Sequence, residues 1–206
     1  MERRLVSILA VDAASYSRLV ANDEDAALGL FREHSKLMTE LFQEYNGRLF
    51  GGAGDSLVAE FSSPVEALRC AVKIQDELAN ANEELPEERR MHFRIGLNLG
   101  DAVVLDGNLF GEAVNVAARL EALAEPGGIC ISGSFHEQVK HLPEFEFRDL
   151  GSPNLKNIPF PVHAYAAKGT STRRLPKPLV PWRRLAAAAV VAILALTIGW
   201  IYLPSP

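Results

Sequence analysis

Hydrophobic positions along residues 1–168 switch repeatedly between strand-like runs and helix-like repeats. The first strand is predicted at Leu5–Val11, an unbroken apolar run that ends at Asp12. Two long amphipathic helices follow. One begins around Asn22 and ends at Gly47, and the other covers Pro64–Asn82 behind Ser63, with a serine cap, proline at the first position and glutamate at the third. This alternation predicts a mixed α+β domain.

Shorter elements fill the rest of this region. Strands are predicted at Arg48–Phe50, Leu57–Phe61, His92–Leu99, Ala102–Leu105, Ile129–Ser132, Phe145–Leu150 and Val162–Ala167, and helices at Glu112–Leu123 and Gly133–His141. The fourth and fifth strands of the whole series should be joined by a tight turn at Gly100-Asp101. The order predicts a ferredoxin-like βαββαβ core with extra strands.

The C-terminal segment has a different composition. Leu185–Leu203 is 19 residues long without a charge, which as a helix spans about 28 Å, close to the ~30 Å hydrocarbon core of a bilayer. It predicts one transmembrane helix, and the lack of a polar face argues against the alternative of a buried or amphipathic helix. The domains are then 1–168 globular, 169–184 a basic, proline-containing linker, and 185–203 the membrane helix. The few residues that follow, to Pro206, fit either a tail anchor or a longer protein.

Charge is distributed unevenly between these segments. Residues 171–206 carry five basic and no acidic side chains, whereas residues 1–170 carry 16 basic and 26 acidic ones. Basic residues before the apolar segment predict, by the positive-inside rule, a single-pass protein of the inner (plasma) membrane with its globular domain in the cytoplasm. The acidic globular domain argues against a nucleic-acid partner. Two cysteines and five histidines without metal-ligand spacing indicate neither a disulfide framework nor a zinc site.

Two aspartates are the first candidates for chemistry. Asp12 ends the first strand, and Asp55 lies in a glycine-rich turn between two strands. Either could simply cap a turn or a helix. If their strands are neighbours, however, the two carboxylates converge, and paired carboxylates suit Mg²⁺, which also takes phosphate oxygens from a substrate.

Three further polar residues are candidates for a functional role. Asn115 and Arg119 are four apart on a predicted helix and therefore share a face, among small apolar neighbours. Lys156 is an isolated cation between two strands. The structural alternatives are a surface salt bridge from Arg119 to Glu112 or Glu121, and a solvated loop lysine.

Four segments, taken together, resemble a known family. They are 7–17 (SILAVDAASYS), 54–61 (GDSLVAEF), 94–101 (RIGLNLGD) and 111–121 (GEAVNVAARLE). In this order and spacing they resemble the class III nucleotidyl cyclase catalytic domain, the homology domain of adenylyl and guanylyl cyclases, over about residues 4–168. The resemblance implies the nucleotide cyclase fold and an enzyme that makes 3′,5′-cyclic AMP and pyrophosphate from ATP.

The resemblance also implies site residues and cofactors. Two Mg²⁺ (or Mn²⁺) ions per site would be held by Asp12, Asp55 and the Ala13 carbonyl, and the terminal phosphates by backbone N–H groups of Ser15, Tyr16 and Ser17. Asn115 would orient the ribose, Arg119 would stabilise the transition state, and Lys156 would bind phosphate. In this family the aspartates come from one subunit and the other three residues from its partner. A head-to-tail homodimer is therefore expected.

Base recognition departs from the family pattern. The usual lysine four residues before the second metal aspartate is Gly51 here, and the partner position is Asn108. Glycine offers no side chain to a base edge, whereas an asparagine amide can both donate and accept. ATP is the expected substrate. The alternatives are a guanylyl or mixed-specificity cyclase, and a catalytically weak homologue that acts as a nucleotide-binding or regulatory dimerisation module.

Overall fold

The computed structural model describes residues 2–52, 54–105 and 108–170. Its strands are β1 (Glu2–Ala14), β2 (Gly47–Gly51), β3 (Ser56–Phe61), β4 (His92–Leu105), β5 (Asn108–Phe110), β6 (Ile129–Ser132), β7 (Phe145–Gly151) and β8 (Ala164–Gly169). Its helices are α1 (Tyr16–Asn22), α2 (Glu24–Glu44), α3 (Pro64–Glu83), α4 (Glu112–Leu123) and α5 (Gly133–Val139), with a 3₁₀ turn at Glu87–Arg89. Residues up to Thr170 form one compact unit.

The strands make one mixed sheet in the order β2-β3-β1-β4-β6-β8-β7, with β5 paired to the far end of β4. The β4–β6 pair is parallel and the others are antiparallel. Strands β2, β3, β1 and β4, with the crossover helices α2 and α3, form the predicted ferredoxin-like core. The α+β class with extra strands is confirmed.

Two apolar layers hold the helices on the sheet. Helices α2, α3 and α5 pack on one face around the largest cluster, which includes Phe42, Phe61 and Phe93. Helix α4 packs on the opposite face over β1, β4 and β6. One side of the sheet is therefore covered by several helices and the other, within the described residues, mainly by one.

The predicted turn at Gly100-Asp101 is wrong. Strand β4 continues through it, because Gly100 pairs with Val6 and Asp101 with Leu5 in an unbroken ladder along β1. The glycine is needed for a different reason: a Cβ at Gly100 would lie 2.8 Å from the Cβ of Ala113 in α4. The chain instead reverses after Leu105, and β5 pairs back onto β4.

Helix α4 lies even closer to the sheet at Gly96. A Cβ on this residue would lie 2.1 Å from the Ala117 carbonyl oxygen and 2.3 Å from the Glu121 nitrogen. Real side chains do not tolerate such distances to backbone atoms. Gly96 therefore sets the distance between α4 and β4, and with it the position of every side chain that α4 presents.

The membrane prediction concerns another part of the chain. Within residues 2–52, 54–105 and 108–170, no helix has the length and apolarity of a membrane span. The predicted membrane helix at 185–203, and the linker from residue 171 onward, lie outside the described residues.

Buried His34 gives the fold a testable pH dependence. It is 4% exposed on α2, edge-on to the Phe93 ring at 5.7 Å, with Nε2 unpaired among the described residues. Burial lowers the pKa of His34 below 6.5, and nearby Glu33 offsets this only in part. The unfolded chain therefore takes up this proton more readily, so the free energy of unfolding should fall as pH drops below about 6.5.

We expect His34→Met to remove this loss. The difference in unfolding free energy between variant and wild type should grow by up to ~1.4 kcal/mol per pH unit below pH ~6.5. Urea unfolding of both proteins between pH 5 and 8 measures it. Parallel stability curves over this range would contradict the assignment.

Candidate active site

The two predicted aspartates are neighbours in the folded chain. Asp12 pairs with Ser56 in the β1–β3 ladder, so Asp55 lies one residue from the position opposite Asp12. The Ala13 N–H donates to the Asp55 carbonyl at 3.3 Å, which fixes the turn against β1. The turn also depends on Gly52, because a Cβ there would lie 1.7 Å from the Ser56 carbonyl oxygen.

Electrostatics mark this end of the sheet as short of positive charge. The pKa of Asp12 is raised above its usual 3.8, first by burial and then by the negative charge of Asp55. A hydrogen bond and ion pair from Arg94 act in the opposite direction without cancelling the effect. A half-buried carboxylate beside a second one is stabilised by added positive charge, which a divalent cation supplies.

Two charged residues that the sequence pattern does not assign to this site complete the cluster. Arg94 on β4 is directly opposite Asp12 in the β1–β4 ladder, and its Nη2 donates to Asp12 Oδ2 at 3.0 Å. Its Nε lies 3.2 Å from Oε1 of Glu121, near the end of α4. Burial, and then the charge of Asp12, raises the pKa of Glu121 to about 7. Two features of the sequence could have drawn attention to them: Arg94 is a charged residue within a largely apolar strand, and Glu121 is a charged residue on the buried face of α4.

The donor set fits a divalent cation that is shared with a substrate. Within the described residues no group of three or more His, Cys, Asp or Glu side chains is placed to hold a metal by itself. Mg²⁺ commonly binds one or two protein carboxylates and takes its remaining ligands from water and phosphate. Asp12 and Asp55 match that pattern, and the Arg94 guanidinium already occupies one Asp12 oxygen as a cation would. The Ala13 carbonyl remains a predicted ligand.

Arg119 and Lys156, which are 37 residues apart, are brought together. Arg119 Nε donates to the Lys156 carbonyl oxygen at 3.0 Å. The neighbouring Leu155 is buried against Val116 and Leu120 of α4, which anchors the Lys156 turn on the helix. Among the described residues no ion pair joins Arg119 to a glutamate, so the salt-bridge alternative is not what the structure shows.

The remaining predicted residues all lie near the ends of elements. Ser15 adopts a left-handed conformation (φ 60°) immediately before α1, whose first two residues are Tyr16 and Ser17. Gly51 ends β2 with φ +106° and Asn108 begins β5, both exposed. Asn115 is exposed on α4, one turn before Arg119. The structure therefore groups Asp12 with Asp55, and Arg119 with Lys156, and the roles of the predicted residues remain predictions.

Sequence comparison identifies relatives of the whole unit. The family profile of the adenylate and guanylate cyclase catalytic domain matches residues 2–169. A protein described as putative adenylate cyclase 3 from Rhizobium meliloti is 42% identical over 197 residues, which is 94% of this chain and 34% of the relative. The match therefore extends beyond residue 170 into the C-terminal segment. The chain spans about a third of the length of that relative.

Solved structures of the same fold agree. A crystal structure of an adenylate/guanylate cyclase/hydrolase from Silicibacter pomeroyi is 40% identical with a TM-score of 0.76, covering 82% of this chain and 99% of that one. The adenylyl cyclase CyaB from P. aeruginosa superposes with a TM-score of 0.72 at 20% identity, covering 84% and 97%. The second likeness concerns the fold alone.

Proposed function

The chain belongs to the adenylate and guanylate cyclase catalytic domain family, and on that premise we propose that it is an adenylyl cyclase that converts ATP to 3′,5′-cyclic AMP and pyrophosphate. One observation carries the proposal. The fold brings Asp12 and Asp55 to one end of the sheet, in a setting that raises the pKa of Asp12. The choice of ATP is supported by the 42% identical relative described as a putative adenylate cyclase.

Asp12, Asp55 and the Ala13 carbonyl would hold two Mg²⁺ or Mn²⁺ ions, which when bound supply Lewis-acid stabilisation of phosphate and alkoxide oxygens. In this proposal the ribose 3′-hydroxyl loses its proton to solvent, its oxygen attacks the α-phosphorus to form a new P–O bond, and the bond to the pyrophosphate oxygen breaks. The backbone N–H groups of Ser15–Ser17 would bind the terminal phosphates at the start of α1.

Arg119 is arranged to stabilise the charge that develops in this step. Its Nε donates to the Lys156 carbonyl, and within the part of the chain that the structure describes its two terminal nitrogens remain able to donate to phosphate oxygens. The same hydrogen bond holds the backbone of Lys156 beside Arg119, and in this proposal the Lys156 ammonium group would bind phosphate. Asn115, one helical turn earlier, would orient the ribose.

The sheet supports a homodimeric enzyme. On its α4 face, the half-buried side chains of Phe50 and Val58 extend the apolar cluster beyond the helix. A second copy packed head to tail on this face would bury these side chains and place one subunit's aspartates opposite the other's α4.

The direct test is product formation by the full chain. Incubated with ATP and Mg²⁺ or Mn²⁺, it should release cyclic AMP and pyrophosphate, identified by mass, and GTP in a parallel reaction should yield less. A larger yield from GTP would support the guanylyl alternative. Nucleotide binding by a folded dimer without product from either nucleotide would support the binding-module alternative.

Mixing two inactive variants tests the shared site. Asp55→Asn and Arg119→Ala should each be inactive as homodimers, because each removes one half of every site. In a 1:1 mixture that has exchanged subunits, half the dimers are mixed and each contains one intact site, so about a quarter of wild-type activity should return. The control mixes Asp55→Asn with Asp12→Asn, which lie on the same half. Equal activity in the two mixtures would contradict the head-to-tail arrangement.

We also propose that residues 185–203 anchor the enzyme in the inner membrane, with the catalytic domain in the cytoplasm. This is supported by the uncharged 19-residue run, by the basic residues before it, and by the extension of the Rhizobium meliloti match into this segment. Carbonate-resistant sedimentation of the full chain with membranes tests it. Release by carbonate would contradict it.

A further inference from the structure

Arg94 lies between two carboxylates, those of Asp12 and Glu121. Its guanidinium donates to Asp12 through Nη2 at 3.0 Å and approaches Glu121 through Nε at 3.2 Å. The three side chains come from neighbouring elements, β1, β4 and α4, and are 21%, 26% and 11% exposed. A guanidinium this far from solvent depends on protein acceptors for its hydrogen bonds.

Cation binding at Asp12 would compete with this arrangement. The Asp12 oxygen that accepts from Arg94 belongs to one of the two proposed carboxylate ligands, and a divalent ion there would repel the guanidinium. Arg94 then needs another acceptor close by, because an unpaired, partly buried charge is costly.

Glu121 is built to be that acceptor. Its Oε1 is buried and, among the described residues, accepts no hydrogen bond of good geometry, although Arg94 Nε lies 3.2 Å away. Its backbone cannot retreat, since Gly96 lets α4 close on β4 directly at Glu121. Oε1 of Glu121 is thus held close to Arg94 and can still accept a hydrogen bond from it.

We propose that Glu121 is a positioning residue that sets the divalent-cation affinity of the Asp12–Asp55 site through Arg94, which moves its hydrogen bonding from Asp12 to Glu121 when a cation binds. This rests on the proposed function, which makes the two aspartates metal ligands. Arg94 acts as the resident counter-ion of Asp12, and Glu121 lowers the cost of displacing it.

The test is a double-mutant cycle on Mn²⁺ affinity. Mn²⁺ alone is titrated into the full chain at pH 8, without nucleotide, and followed by water-proton relaxation. Glu121→Gln should weaken Mn²⁺ binding by about ten- to a hundredfold, the range typical of residues that act behind a metal ligand. Arg94→Met should strengthen it, and in that background Glu121→Gln should have less than about a threefold effect, since the residue it acts through is gone. Arg94→Gln replaces Arg94→Met if the latter does not fold.

Two controls separate the possible failures. Glu60→Gln breaks a comparable pair with Arg4 further along the same face of the sheet and should leave Mn²⁺ affinity unchanged. Asp55→Asn should abolish the binding measured in wild type; if it does not, the proposed metal site is wrong and this inference with it. If Asp55→Asn does abolish it, an equal effect of Glu121→Gln with and without Arg94, or no effect in either, overturns the positioning role alone.

Discussion

Asp55→Asn in the full chain is expected to lower cyclic AMP formation by at least ~10³-fold, because the change removes a metal ligand on which the chemistry depends. The same change should not destabilise the fold. Asp55 adds to the unfavourable charge around Asp12, and a neutral asparagine relieves it. Its backbone contact, the carbonyl that accepts from Ala13 N–H, is kept. We therefore expect a melting temperature equal to or slightly above that of wild type.

Turnover with ATP and Mn²⁺, and thermal unfolding of the same samples, measure the two halves of this prediction. Asp149→Asn is a matched control, because Asp149 is an exposed aspartate on β7 that pairs with His163 outside the site. It should retain near wild-type turnover. If Asp55→Asn keeps more than about a tenth of wild-type activity, the assignment of Asp55 as an essential ligand is wrong.

Gly96→Ala should be the most damaging single-methyl change among the glycines of the sheet. The new Cβ would meet two backbone atoms of α4, at 2.1 and 2.3 Å, and backbone cannot rotate away as a side chain can. Either α4 moves off β4 or the strand distorts, and overpacking of this kind costs about 1–3 kcal/mol in the free energy of unfolding. Activity should fall further than stability suggests, because α4 carries Asn115 and Arg119.

Urea unfolding and turnover of Gly96→Ala, both below its melting temperature, check this. Gly29→Ala is the control: it lies in the exposed interior of α2, and a Cβ there meets nothing within 4 Å. That substitution should raise the unfolding free energy by about 0.5–1 kcal/mol, because alanine is the better helix former. A Gly96→Ala protein as stable and active as wild type would show that α4 can shift without cost.

Much of this fold can be predicted from local pattern. The bounds of α4 and β6 match the predicted ones, and the start of α3 follows from its serine cap and proline, since these signals act within one turn. The error at Gly100-Asp101 has a tertiary cause. Gly100 is required because helix α4 packs closely across the strand at this point. No local sequence pattern distinguishes this requirement for glycine from that of a turn.

The candidate site likewise contains one contact that local pattern can predict and one that depends on tertiary structure. Asp12 and Asp55 could be paired by assuming that their strands are neighbours, which the β1–β3 ladder confirms. The contact between Arg94 and Glu121 could not be predicted in this way, because it depends on the register of β4 against β1 and on how closely α4 approaches β4 at Gly96. Charge within an apolar strand indicates that a partner exists but not which one.

The unbroken strand β4 also constrains how this chain can change in length. Over 14 residues it carries Arg94, the two glycines beneath α4 and the pairing edge for β5, all in one register. Deleting a single residue at Gly100-Asp101 would turn every later side chain of the strand to the opposite face. The segment that looks most like a loop in the sequence is therefore one where neither insertions nor deletions of single residues should be tolerated.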